Sequence, residues 1–148
     1  GNTLYTCGNG GSAADALHFA EELVGRFRAD REPLPAVCLS ADVTALTYIA
    51  NDYGFEAIFS RALRALGKPG DVLAAFSTSG NSPNVLNALR EAKNKQVITL
   101  LITGKDGGEG KSLADPTLIV PSPNTARIQE VHTFLIHAWL EQIEQESW

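Results

Sequence analysis

The chain reads as an α/β protein, a doubly wound, five-stranded parallel sheet with helices on both faces. Three observations predict it. Short runs rich in Val, Leu, Ile and Ala recur at 4–7, 36–40, 72–76, 97–103 and 118–120. Stretches with helical spacing of apolar residues lie between them, at 12–28, 43–50, 56–66, 82–93 and 126–146. Strands of that kind alternating with helices are the mark of βαβ units around a sheet covered on both sides. No linker or composition break divides the 148 residues, and "GKDGGEGKSLADP" is the only long polar connection. Residues 1–148 are therefore expected to form one domain, large enough to bury a core.

Composition narrows the function classes. The chain is 44% hydrophobic and 20% charged, with a formal net charge of −5 and no Lys/Arg cluster. That balance argues against binding to nucleic acid or to an anionic membrane surface. No apolar run reaches the length of a membrane span and no signal peptide is visible, so a cytoplasmic location is expected. Cys7 and Cys38 each fall inside an apolar strand; in that setting they are read as buried free thiols rather than a disulfide. The chain enters its first strand almost at Gly1, which leads us to expect a further helical segment ahead of it.

In a doubly wound sheet, ligands bind outside the carboxyl ends of the strands, so the loops after the first and third strands come first. The first loop is Gly8-Asn9-Gly10-Gly11-Ser12, which runs into a helix. Glycines let backbone N–H groups approach an anion, and the helix N-terminus adds partial positive charge. The second is "STSGNS", Ser77 to Ser82, which offers four hydroxyls at another helix start and no basic residue. A phosphate monoester suits such an array. The plain alternative for the second loop is a turn with Ser82 as a simple N-cap. "GNGGSA" also fits the dinucleotide pattern G-x-G-x-x-A, but the acidic residue that the pattern needs at the end of the second strand is missing. There is no Walker lysine either.

The first helix carries His18 and Glu22, one turn apart. On a helical wheel Leu17, Ala20, Leu23, Val24 and Phe27 form an apolar arc, and Asp15, His18, Glu22 and Arg26 fall opposite. An ordinary surface i,i+4 pair is one reading of His18 and Glu22. The last helix opens another. Its apolar residues spread nearly all the way round, so it is expected to be covered by a second subunit, and Gln129, His132 and His137 punctuate it. His137 either pairs with Glu141 on the surface or meets His18, Glu22 and Gln129 across a subunit interface. A carboxylate and an imidazole converging on a sugar phosphate suit the enediol chemistry of aldose–ketose isomerisation. The same groups suit Zn²⁺, although Gln is a rare ligand for it.

Taken together, "CGNGGSAADALHFAEELVGRF", "PAVCLS", "IANDYGFEAIFSRALRALGKPGDVL", "STSGNSPNVLNAL", "ITGKDGG" and "ARIQEVHTFLIH" give the sequence its kinship. It resembles the sugar isomerase (SIS) domain family and, within it, the sedoheptulose 7-phosphate isomerases, over the whole chain. The resemblance implies a flavodoxin-like sheet and conversion of sedoheptulose 7-phosphate to D-glycero-D-manno-heptose 7-phosphate, the first step toward nucleotide-activated heptoses and lipopolysaccharide. It implies substrate contacts at Asn9, Gly10, Gly11, Glu22, Asn51, Asp52, Ser77, Thr78, Ser79, Ser82 and Gln129. It implies Glu22 as general base and His137 as its acid/base partner. One Zn²⁺ per subunit is implied on His18, Glu22, Gln129 and His137, in a homotetramer with active sites between subunits. The alternative is a non-catalytic SIS protein that binds a replication initiator or another partner; such relatives lack the base glutamate and the last-helix histidine, both present here. SIS-fold transcription regulators need a DNA-binding module, which this sequence does not show.

Overall fold

The computed structural model describes residues 1–146; the last two residues of the expected 1–148 domain lie outside the described residues. Five strands form one sheet: β1 (Leu4–Cys7), β2 (Ala36–Cys38), β3 (Val72–Ser77), β4 (Ile98–Gly104) and β5 (Thr117–Val120). Their order is β2-β1-β3-β4-β5 and every neighbouring pair is parallel. The helices are α1 (Gly11–Val24), α2 (Val43–Tyr53), α3 (Ile58–Leu66), α4 (Pro83–Asn94) and α5 (Thr125–Gln145). All ten expected elements are present, with ends shifted by a few residues.

Alternation along β3 shows how the two layers are assembled. Leu73 and Ala75 point to one face, into a cluster with Ile49, Phe59, Leu63, Val85 and Leu89 from α2, α3 and α4. Ala74 and Phe76 point to the other, against Ala16, Phe19, Ala20 and Leu23 of α1 and Ile136 and Leu140 of α5. Successive strand residues face opposite ways, so one six-residue strand serves two cores. Cys7 and Cys38 are both buried and free, as expected.

Three sequence expectations are corrected. The first helix stops at Val24 instead of continuing to 28, because Gly25 ends it and Arg31 takes over its last carbonyls, donating to Glu22 O at 2.7 Å and Leu23 O at 2.9 Å. The apolar arc of α1 is also rotated. Leu17 and Val24 are exposed, whereas Asp15 is buried and accepts a 2.8 Å hydrogen bond from Thr133 Oγ1 of α5. The wheel weighted hydrophobicity alone, and the partner hydroxyl on α5 that makes Asp15 an inward residue was invisible to it. The helix expected to start at 56 is divided into a 3₁₀ turn, Phe55–Ala57, and α3. Within the single chain α5 buries one stripe (Ile128, His132, Ile136, Leu140) and leaves Val131 and Phe134 exposed. Among the described residues no helix is long and apolar enough to cross a membrane.

One buried charge ties the start of the sheet together. The Asp71 side chain, fully buried, accepts from Thr3 N at 2.8 Å, from Lys68 N at 2.9 Å and from Lys68 Nζ at 2.6 Å. Burial by itself would raise its pKa, but these hydrogen bonds outweigh it and the net shift is downward. A carboxyl depressed in the folded state stabilises above its unfolded pKa, and that contribution fades as pH falls through the folded value. Urea unfolding followed from pH 7 downward should therefore show stability falling once pH drops below about 4. Asp71→Asn should flatten that fall and lower stability at pH 7 by about 2 kcal/mol.

Candidate active site

The two loops singled out in the sequence lie side by side because β1 and β3 are neighbours in the sheet. A reciprocal amide pair fastens them. Asn9 Nδ2 donates to Asn84 Oδ1 at 2.9 Å and Asn84 Nδ2 donates to Asn9 Oδ1 at 2.8 Å. Asn84, in the first turn of α4 and 1% exposed, was not singled out in the sequence; its neighbour Pro83 marks the helix start, but nothing local reveals the partner.

The second loop is built for something other than helix capping. Ser82 occupies the N-cap position of α4, yet its side chain makes no capping bond. Its hydroxyl lies 3.2 Å from that of Ser77 instead, which contradicts the simple N-cap reading. Ser77 is itself 3% exposed, and its Oγ accepts from Gly80 N at 3.2 Å. Thr78, Ser79 and Ser82 remain half-exposed, and Ser79 Oγ accepts from Asn81 N. Gly80 has φ +65°, and its carbonyl accepts from Gly110 N at 2.9 Å, so the turn is braced by the 105–112 connection. A Cβ at Gly80 would run into the Gly107 carbonyl.

Helix α1 brings the first loop to α5. Gly10 is its N-cap, and the Gln129 side chain of α5 rests against Gly11 so closely that a Cβ there would collide with its amide. Further along, His18 Nε2 lies 3.4 Å from Glu22 Oε1, both half-buried. The rings of His18 and His137 meet edge to face at 5.1 Å between centroids, and Phe27 stacks on His137 at 5.6 Å. His18 and His137, and likewise Gly11 and Gln129, thus come together within one chain. The surface pairing of His137 with Glu141 is overturned, since Glu141 pairs with Arg28 at 2.6 Å.

Asn51 and Asp52 behave differently. They sit exposed on the last turn of α2, hydrogen-bonded to each other at 2.7 Å, and the structure gives neither a contact with the two loops. Glu21 is an addition: with His18 and Glu22 it forms a group whose ligand atoms all lie within 4.8 Å of one another, a geometry that can hold a cation. The imidazole and carboxylate donors at hand suit Zn²⁺, whereas an amide oxygen such as that of Gln129 is a rare ligand for it. Beneath them His132 is fully buried, with its pKa lowered mainly by burial, against smaller opposing effects of the Thr103 carbonyl and Asp15.

Comparison with known proteins identifies the family and the fold. Residues 1–104 match the family model described as the SIS domain. The phosphoheptose isomerase of Helicobacter pylori (strain ATCC 700392 / 26695) is 54% identical over 142 residues, 96% of this chain and 74% of the relative. The solved phosphoheptose isomerase GmhA from Neisseria gonorrhoeae superposes with a TM-score of 0.92 at 48% identity, over 98% of this chain and 77% of that one. The phosphoheptose isomerase from Francisella tularensis gives 0.94 at 38% identity, over 98% and 78%.

The strained turn gives a direct test of the loop. Gly80→Ala should cost at least ~2 kcal/mol in urea unfolding, from the left-handed φ and the Gly107 collision together. Phosphate-ester affinity should fall with it when measured by calorimetric titration.

Proposed function

Since the chain belongs to the SIS domain family, among its phosphoheptose isomerases, we propose that it interconverts sedoheptulose 7-phosphate and D-glycero-D-manno-heptose 7-phosphate with Glu22 and His137 as its proton-transfer groups. The observation that carries this reading is the convergence of His18, Glu22 and His137 on α1 and α5, helices that also line the first loop. The hydroxyls of Ser77, Thr78, Ser79 and Ser82 hold the phosphate, with the N-terminus of α4 behind them. Asn9, Gly10, Gly11 and Gln129 line the sugar.

The chemistry needs one proton moved between adjacent carbons. Glu22 takes the proton from C1 of the ketose, the C1–H electrons form the C1=C2 bond, and the C2 carbonyl oxygen takes a proton from His137. The resulting enediol gives its O1 proton back to His137 while Glu22 returns a proton to C2, leaving the aldose. Phe27 stacked on His137 holds that ring in place. His18, Glu22, Gln129 and His137 would hold Zn²⁺, with Glu21 a further carboxylate beside them. When bound, such an ion polarises sugar oxygens as a Lewis acid.

We further propose a cytoplasmic homotetramer with sites between subunits. Exposed Asn51 and Asp52 support it, because a neighbouring chain can carry them to the loops, and so do the uncovered Val131 and Phe134. The product feeds heptose and lipopolysaccharide assembly in this reading.

The test is incubation with sedoheptulose 7-phosphate in D₂O, followed by NMR with and without Zn²⁺. An aldoheptose phosphate carrying deuterium at C2 is expected. No turnover in either condition would refute the isomerase and favour a partner-binding SIS protein. Glu22→Gln should cut kcat by roughly 10³ while leaving phosphate-ester affinity within a few-fold. Ser77→Ala and Ser82→Ala should instead act mainly on KM.

A further inference from the structure

The hydrogen bond His132 makes goes to Thr103 of β4 rather than to either loop, yet His132 is a fully buried polar residue of α5. Its side chain has no exposure at all, packs 6.0 Å from the Phe76 ring, and leaves Nδ1 without a hydrogen-bond partner. Asp15 Oδ2, whose charge acts on this ring, is likewise buried and unpartnered. An apolar residue would fill the same space without orphaning a polar atom, so packing does not explain a histidine here.

What the histidine does make is a bond from Nε2 to the Thr103 carbonyl at 3.1 Å. A carbonyl only accepts, so Nε2 carries the hydrogen. Thr103 stands beside Ser77 in the β3–β4 ladder, and its Oγ1 donates to the Ser77 carbonyl at 2.6 Å, fully buried. Ser77 is the last residue of β3 and the first of the 77–82 loop. A continuous hydrogen-bonded path thus runs from α5 through the end of β4 to the loop.

We infer that His132 is a positioning residue: as an Nε2–H donor it holds Thr103, and through Thr103 it sets the backbone from which the hydroxyls of the 77–82 loop project. This rests on the reading of that loop as the phosphate site. The path links the loop to α5, the helix that carries Gln129 and His137.

The experiment compares His132→Leu, His132→Gln and Thr103→Val with the wild type. Leu keeps the volume and removes the donor, Gln keeps an N–H near the Nε2 position, and Val removes the hydroxyl that reaches Ser77. His132→Leu and Thr103→Val should raise KM for sedoheptulose 7-phosphate about tenfold, with kcat within about threefold of wild type, and His132→Gln should bring KM most of the way back. Amide exchange at 79–82 reads the same coupling without turnover. It should quicken in the Leu and Val variants and stay near wild type in the Gln variant. An unchanged KM with unchanged exchange, or a Gln variant no better than Leu, would overturn the inference. If His132→Leu does not fold, Thr103→Val and His132→Gln decide it alone. If the wild type isomerises nothing, the functional reading fails, and the exchange pattern still decides whether His132 positions the loop.

Discussion

The adjacency of β1 and β3 is the constraint on which the site depends. Leu4 to Cys7 run in register with Val72 to Ala75, so β1 ends two residues short of β3 and the two strands release their loops side by side. The chain leaves β1 toward α1 on one face and leaves β3 toward α4 on the other. That divergence opens a crevice at the strand ends, where two helix N-termini and their unpaired N–H groups face one region. The Asn9–Asn84 amide pair then closes the base of the crevice. Were β1 and β3 separated by another strand, the same residues would form two unrelated turns.

The second organising feature is the packing of α1 along α5. Ala16, Ala20 and Leu23 meet Ile136 and Leu140 in the core, and the polar residues ride on the rim of that contact. Small residues at 11, 16 and 20 let the two helices approach closely. At one end Gln129 lies on Gly11; further along, His18 touches His137. Near the end of α5, Glu144 accepts the N–H groups of Phe27, Arg28 and Ala29, so that the segment after α1 is folded back and Phe27 is delivered to His137. The depressed pKa of Glu144 has the Arg28 N–H as its main cause, with those of Ala29 and Phe27 adding to it. A hydrophobic seam thus sets the spacing, and a capped turn sets the angle.

Much of this was legible in the residues alone. Short continuous Val/Leu/Ile/Ala runs alternating with helices of period near 3.6 are local patterns, and the parallel sheet follows from them. The glycine and serine loops announce themselves because only a few residue types tolerate such turns. What misled the helical wheel of α1 was a long-range partner: Asp15 is polar by type and buried by position because Thr133, 118 residues away, donates to it. Ser82 is similar, since its type says N-cap and its neighbour Ser77 draws the hydroxyl elsewhere.

Sequence by itself determined the strand and helix inventory, the two loops and the chemical types gathered in "GNGGSAADALHFAEEL" and "ARIQEVHTFLIH", because those depend on backbone preference and hydrophobic period within a dozen residues. Only the tertiary structure decided that His18 and His137 meet inside one chain, that Asn51 and Asp52 stay apart from them, and that His132 is joined to Ser77 through Thr103. Those relations turn on strand order and helix approach. Both are set by the burial of surfaces far apart in the chain, which no local pattern of residues records.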